Sequence, residues 1–170
     1  MKNKKNYLSS LTSHLSFPQK GFTLIELMVV LSVTAVLGTL GIAGFTTYNQ
    51  IHVLQSATFD VMTVLNLAKS RSQSQVKISA LCASSETLNG YKVEILAPRN
   101  YTLHLRCSGV DRQVSEETKI LPSDINFGAN KSFFFPVQTG GVQTAGQIVI
   151  SGYGRSKTIV INSLGGVSSQ

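Results

Sequence analysis

One carboxylate in this sequence, Glu26, stands where a charge is costly and therefore requires a chemical partner. From 22 to 45 the chain has 24 residues, and Glu26 is the only charged one. A charge at the centre of a membrane helix costs roughly 2.5–3.5 kcal/mol on insertion scales. Cleavage between Gly21 and Phe22 would create a cationic α-amino group about one helical turn from Glu26. Such a cut would therefore supply the partner that Glu26 needs.

The apolar stretch around Glu26 is long enough to cross a membrane as a helix. At ~1.5 Å per residue it reaches ~36 Å, against a hydrocarbon layer of ~30 Å. Four lysines and no acidic residue lie in the first 21 residues, so the positive-inside rule predicts a cytoplasmic N-terminus. A secretory signal has a shorter apolar region that precedes its cleavage site. An uncleaved signal anchor is the closer alternative, but it leaves Glu26 unexplained.

The residues on both sides of Gly21 resemble the processing site of type IV prepilins and of the pseudopilins of type II secretion. They are Lys20, Gly21 and the run Phe-Thr-Leu-Ile-Glu-Leu at 22–27. The resemblance covers about residues 20–45. It implies that a prepilin peptidase/methyltransferase cleaves after Gly21 and methylates the new N-terminal Phe22. It also implies that the helix carrying Glu26 joins a filament of pilin or pseudopilin subunits, through an inner-membrane assembly platform.

Four parts follow from this interpretation. Residues 1–21 are a cytoplasmic leader removed on maturation, 22–45 a transmembrane and filament-core helix, 46–75 an amphipathic continuation of it, and 76–170 an extracytoplasmic β-rich domain. The protein is then a single-pass inner-membrane protein before it enters an extracytoplasmic or cell-surface filament. Without the leader, 11 basic and 8 acidic residues remain, a formal charge of +3 that does not by itself indicate nucleic acid.

Helical periodicity continues beyond the membrane segment. One stripe is mostly apolar and consists of Ile51, Leu54, Thr58, Val61, Leu65 and Ala68. Because no Gly or Pro occurs between Phe45 and Gly90, one helix is predicted from about 23 to about 73. A membrane helix separate from a domain helix is the alternative. The membrane segment contains three glycines at a spacing of three residues, Gly38, Gly41 and Gly44. They either allow close helix packing in lipid or form a weak point where the helix can extend.

Alternation of apolar and polar residues predicts strands after this helix. The predicted strands are 76–82, a hairpin of 91–95 and 101–107 around the turn 97–100, and then 125–127, 132–135, 147–150 and 158–162. The fold class is therefore α+β, a long N-terminal helix packed on an antiparallel β-sheet.

The same half of the chain resembles two minor subunit types, pseudopilin H and fimbrial protein T. The resemblance rests on residues 68–72, on the strand ending at Leu81-Cys82, and on the closing strands 148–150 and 159–165. It implies a minor pilin or pseudopilin, with a DNA-binding minor pilin for DNA uptake as the alternative. For the latter, Arg155 and Lys157 are predicted in an exposed turn beside Tyr153, where solvated charges are the simpler explanation.

The two cysteines, Cys82 and Cys107, both fall on predicted core faces. They are either buried thiols or a disulfide, which an oxidising extracytoplasmic location favours. Two cysteines without nearby histidines give too few ligands for zinc, and no metal or cofactor is predicted. His14, His52 and His104 are interpreted as surface histidines, and no catalytic constellation is found. The predicted protein is not an enzyme.

Overall fold

The computed structural model describes residues 21–114 and 118–170, except for the side chains at 40, 41 and 43. The predicted leader, apart from Gly21, therefore lies outside the described residues. The chain divides into two compact units, and the boundary falls between Ala43 and Gly44. The fold class is α+β, as predicted: one long N-terminal helix and antiparallel sheets.

Helix α1 comprises Leu24–Gln73, 50 residues, and passes without a break through Gly38 and Gly44. The prediction of one continuous helix is confirmed. Its C-terminal end is closed by two backbone bonds: Val76 N–H donates to the Arg71 carbonyl at 3.0 Å and Gln75 N–H to the Ser72 carbonyl at 3.3 Å. Gln75 has φ 51°, so the end is a Schellman motif with glutamine in the usual glycine position.

In the second unit α1 buries one face in the core. The buried residues of that face are Leu54, Ala57, Thr58, Val61, Val64, Leu65, Ala68 and Ser72. The Thr58 hydroxyl donates to the Leu54 carbonyl at 2.8 Å, which satisfies a buried polar group within the helix. Five of the six stripe residues predicted from periodicity are buried, and Ile51 is half-buried.

The first sheet contains five strands: β1 (Leu88–Leu96), β2 (Asn100–Cys107), β3 (Val110–Gln113), β4 (Lys119–Ile120) and β6 (Lys131–Pro136). Their order is β3-β2-β1-β6, with β4 also paired to β2. The predicted hairpin is confirmed, since β1 and β2 pair antiparallel with Val93 opposite Leu103. Alternation places Tyr91, Val93 and Ile95 in the core and Lys92 and Glu94 on the opposite face.

The second sheet contains β5 (Ile125–Phe127), β7 (Gly146–Gly152), β8 (Arg155–Ile161) and β9 (Val167–Ser169), in the order β5-β7-β8-β9. The four predicted strands after residue 124 correspond to β5 to β8. The short strands β3, β4 and β9 were not predicted. Buried side chains from α1 and both sheets form one hydrophobic cluster, which includes Leu65, Tyr91, Leu103, Phe135 and Ile159.

The strand predicted at 76–82 is wrong. This stretch forms turns, in which the N–H groups of Leu81 and Cys82 both donate to the Ile78 carbonyl at 2.9 Å. Of the predicted apolar face, Cys82 is buried, Ile78 is half-buried, and Val76 is exposed. Alternation fails here because the segment pairs with no neighbouring strand and satisfies its backbone through turns and side-chain contacts.

Candidate processing and assembly site

The residues around the predicted cut lie at the N-terminal end of α1. The Thr23 hydroxyl accepts a hydrogen bond from Glu26 N–H at 3.2 Å, and the Thr23 carbonyl accepts one from Leu27 N–H at 3.1 Å. Thr23 is thus the N-cap, and its hydroxyl satisfies one of the donors that a helix end leaves open. Phe22 precedes the helix and is 79% exposed. The peptide bond between Gly21 and Phe22 is therefore outside the helix and open to another protein.

Glu26 lies in the first turn of α1 and is exposed in the single chain. A carboxylate at this end of a helix interacts favourably with the helix dipole. Phe22 stands before the cap, so the stretch from Phe22 to Glu26 does not form a complete helical turn in this structure. The α-amino group that cleavage would create can meet Glu26 if the helix extends by two residues, or it can come from another chain.

The first part of α1 presents apolar side chains outward. The large ones with more than half of their surface exposed are Leu24, Ile25, Leu27, Met28, Val29, Val30, Leu31, Val33, Val36, Leu37, Ile42 and Phe45. Hydroxyls within this stretch are satisfied locally: Ser32 donates to the Val29 carbonyl and Thr39 to the Val36 carbonyl, both at 2.8 Å. Within the described part of the chain, α1 is the one helix long and apolar enough to cross a membrane, with a mean hydropathy of 2.1 in its most apolar window.

A disulfide joins Cys82 to Cys107, with a Cα–Cα distance of 5.9 Å. Both residues are buried, Cys82 at the end of the turn segment and Cys107 at the end of β2. The bridge thereby attaches the irregular segment after α1 to the first sheet.

A bidentate ion pair attaches the same segment to β3. Arg112 Nη1 and Nη2 donate to Glu86 Oε2 and Oε1, each at 2.6 Å, and Nη1 also donates to the Leu81 carbonyl. The bond from Arg112, assisted by one from Ala83 N–H, lowers the pKa of Glu86 to about 2. Sequence reasoning missed this pair because its members are 26 positions apart and only the tertiary structure brings them together.

A second charged cluster covers the outer face of the first sheet. Asp111 accepts from Arg106 Nε at 2.6 Å, and Lys92 Nζ lies 2.6 Å from the other Asp111 oxygen. The bond from Arg106 is the main cause that lowers the pKa of Asp111 to about 2. The Arg106 guanidinium also lies 4.6 Å from the centre of the Phe134 ring, a cation–π contact. This cluster balances its charges internally.

His104 belongs to that cluster, so its interpretation as a surface histidine is wrong. It is half-buried, with Nε2 at 2.8 Å from the Thr102 hydroxyl and 3.3 Å from Glu94 Oε2. Burial lowers the pKa of His104, and the Glu94 carboxylate opposes that shift. His52, by contrast, is exposed on α1 and makes an edge contact with Tyr48. Among the described residues no group of three or more His, Cys, Asp or Glu is placed to hold a metal ion.

Arg155 and Lys157 are not in a turn, and that prediction is corrected. The turn consists of Tyr153 and Gly154, whereas Arg155 begins β8 and Lys157 is half-buried within it. The Tyr153 hydroxyl donates to Asp124 Oδ2 at 3.3 Å, so the aromatic residue is engaged with a carboxylate. The long antiparallel pairing of β7 with β8 extends the strand to Arg155, opposite Gly152.

Residues 17–42 match the family model of the prokaryotic N-terminal methylation motif. The match contains the cap at Thr23, the carboxylate of Glu26 and the apolar start of α1. Comparison of the chain with curated proteins and with solved structures gave no match. The chain therefore carries the N-terminal methylation motif that is typical of type IV prepilin-like proteins.

Proposed function

We propose that this protein is a minor pilin or pseudopilin, a structural and non-enzymatic subunit of a type IV pilus-like or type II secretion filament. The observation that carries the proposal is that the two parts of α1 differ in the exposure of their apolar side chains. Its first part holds the methylation motif and leaves its large apolar side chains exposed, while its later part buries a face in an α+β core. Exposed apolar surface of this extent requires lipid or other apolar helices around it.

The proposed maturation begins on the cytoplasmic side of the inner membrane. A prepilin peptidase cleaves between Gly21 and Phe22 and methylates the Phe22 amino group. Support comes from the exposed Phe22 and from a scissile bond outside the helix. The leader carries four lysines, which favours retention of residues 1–21 in the cytoplasm and export of the domain. An inner-membrane assembly platform then passes the subunit into the filament.

Glu26 has the proposed assembly role. Thr23 caps the helix, so Phe22 of the same chain lies outside the helical turn that contains Glu26. The amino group of Phe22 on an adjacent subunit can then neutralise this carboxylate when the subunit moves from the membrane into the filament. In a low-dielectric filament core such a pair is strongly attractive, and either charge left alone is heavily penalised. Pairing between subunits would also fix their axial offset.

Mass spectrometry after co-expression with a prepilin peptidase tests this function. The expected product lacks residues 1–21 and has an N-methylated Phe22. A catalytically inactive peptidase is the control and should leave the leader in place. Gly21→Ala should slow processing mildly, and the bulky Gly21→Leu should block it. An intact leader with the active peptidase, or a cut after the apolar stretch, would contradict the assignment.

The alternative is a DNA-binding minor pilin that acts in DNA uptake. What favours it is the exposed Arg155 at the start of β8, with Lys157 two positions along on the same side of the strand. If both contact phosphates, Arg155→Gln with Lys157→Gln should weaken binding to all sequences and reduce the slope of log affinity against log salt by about 0.9 per lost contact. Lys131→Gln, on the other sheet, is the matched control. An unchanged slope, or no binding at low salt, would exclude this function.

A further inference from the structure

A cavity of about 450 Å³ lies beside the last turns of α1, within the unit Gly44–Gln170. Helix residues Lys69 and Gln73 form one side of it. Pro136 at the end of β6 and two loops form the rest, with Thr139 to Val142 in the first loop and Ser163 and Leu164 in the second. Neither the processing motif nor the charged clusters described above extend into this cavity.

The two loops are locked together in a way that leaves no room for side chains. Gly140 has φ +65° and Gly165 φ +71°, both in the region that favours glycine. A Cβ on Gly141 would lie 2.7 Å from the Ser163 carbonyl oxygen. Val142 N–H donates to that same carbonyl at 3.2 Å. The wall of the cavity is therefore built into the fold and exists before any ligand arrives.

Lys69 gives the cavity its charge. Of the described residues that line it, Lys69 alone is charged. Its side chain is half-buried, and Nζ donates to the Leu164 carbonyl at 3.3 Å. An ammonium group carries three donors, and this carbonyl uses one of them. An anion beside this half-buried ammonium group would form a charge-assisted hydrogen bond with it. Such bonds are about twice as strong as bonds between neutral groups, so binding of an anion is favourable here.

We propose that this cavity binds a single carboxylate, and that its occupant is the Asp or Glu side chain of an adjacent filament subunit. One positive charge matches one carboxylate, whereas a phosphate dianion would bring a second charge with no counterpart in the lining. The rim favours a protein side chain over a small hydrophilic anion. Leu164 is 78% exposed at the rim and can pack against the methylene groups of an Asp or Glu side chain. The choice of occupant rests on the proposed filament function, but the carboxylate site itself does not.

The site is tested first on the full chain in detergent micelles, without any assembly. The probe is N-acetyl-glutamate N-methylamide, and its neutral match is N-acetyl-glutamine N-methylamide. In amide-detected NMR, Gly140 and Gly141 should shift with the glutamate probe alone. Lys69→Met should weaken its binding by about tenfold, the loss expected for one charged hydrogen bond, and the control Lys131→Met should not. Equal shifts with both probes, or unchanged binding by Lys69→Met, would overturn the site.

The occupant is tested on assembled filaments with a water-soluble carbodiimide. The carboxylate adds to the carbodiimide to give an O-acylisourea. The neutral Lys69 amine then attacks the acyl carbon, the bond from that carbon to the isourea oxygen breaks, and an amide and a urea are formed. Mass spectrometry should find Lys69 joined to an Asp or Glu of another subunit. Lys69→Arg keeps the charge and should keep incorporation while losing the cross-link. Cross-links through Lys131 but not Lys69 would overturn the occupant. Failure to enter filaments would instead count against the proposed function, while the micelle titration still decides the site.

Discussion

The hydroxyl oxygen of Thr23 caps helix α1 by accepting the backbone N–H of Glu26 at 3.2 Å. This bond satisfies a backbone donor in the first turn and leaves the Glu26 carboxylate free to point outward. The helix begins at Leu24, so Phe22, whose amino group is the proposed partner of Glu26, lies outside it. The cap is supplied by the Thr23 hydroxyl and the Glu26 backbone, so it does not require the Glu26 carboxylate.

Replacement of Glu26 by leucine should separate processing from assembly. Without the carboxylate, membrane insertion becomes easier, but by less than the roughly 2.5–3.5 kcal/mol that a charge at the helix centre costs, because Glu26 lies in the first turn of α1. Glu26→Leu should therefore be inserted and cut after Gly21 as before, yet enter filaments poorly because the Phe22 amino group of a neighbour lacks its counterion. N-terminal mass spectrometry measures the cut, and immunoblots of sheared filaments measure incorporation.

The matched control for this variant is Ser32→Leu, another exposed polar residue of the same helix whose hydroxyl bonds within the helix. It should assemble normally. Normal incorporation of Glu26→Leu would show that the carboxylate has some other role.

Loss of the disulfide should destabilise the second unit. The bridge closes a loop with a sequence separation of 25, and the chain-entropy model assigns such a loop about 3.5 kcal/mol. The double variant Cys82→Ala, Cys107→Ala should lower the urea midpoint of the detergent-solubilised protein accordingly. Reduction of the wild type should lower its urea midpoint by a similar amount, whereas the reductant should not change the urea midpoint of the double variant. Equal midpoints for the two proteins would rule out a stabilising bridge.

The ion pair between Glu86 and Arg112 should make stability depend on pH in the acid range. The pKa of Glu86 is about 2 in the folded chain against an ordinary 4.5. A carboxylate with a lowered pKa stabilises the fold above its unfolded pKa, and that contribution disappears as pH falls from about 4.5 to about 2. Glu86→Gln should therefore be less stable than the wild type near neutral pH, and the difference should close at about pH 2.

Urea midpoints at about pH 6, 4 and 2.5 measure this convergence. Asp60→Asn, on the exposed side of α1, is the control and should run parallel to the wild type over the same range. A gap for Glu86→Gln that stays constant with pH would mean that the charge of Glu86 contributes nothing.

Gly90 should tolerate no side chain. A Cβ there would meet the Phe135 carbonyl oxygen and would lie 2.9 Å from Cζ of Phe134, the ring beneath Arg106. Because β1 and β6 pair directly at this point, Gly90→Ala must push the strands apart, at a cost of about 1–3 kcal/mol. Gly128→Ala is the control, since its nearest neighbour would be Val149 Cβ at an ordinary 3.6 Å. Thermal unfolding compares the two, and equal melting temperatures would contradict the crowding argument.

The hairpin of β1 and β2 and the turn segment before it show where sequence reasoning succeeded and failed. Both have alternating residues, but only 91–95 and 101–107 have partners beside them, joined by a short turn. The segment 76–82 has no such neighbour in sequence, and it folds into turns held by Cys107 and Arg112 from distant strands. Alternation alone therefore gives a wrong strand prediction where no other strand lies alongside the segment to pair with it.

The sequence by itself determined the N-terminal methylation motif at residues 17–42, the placement of Glu26 in an apolar helix, and the length of that helix. These depend on residue types and spacing within a few turns, which the chain order preserves. The tertiary structure alone decided the pairing of Glu86 with Arg112, the partial burial of His104 and the cavity around Lys69. Each of these depends on which elements the sheet register and core packing place side by side, and local sequence patterns do not specify that.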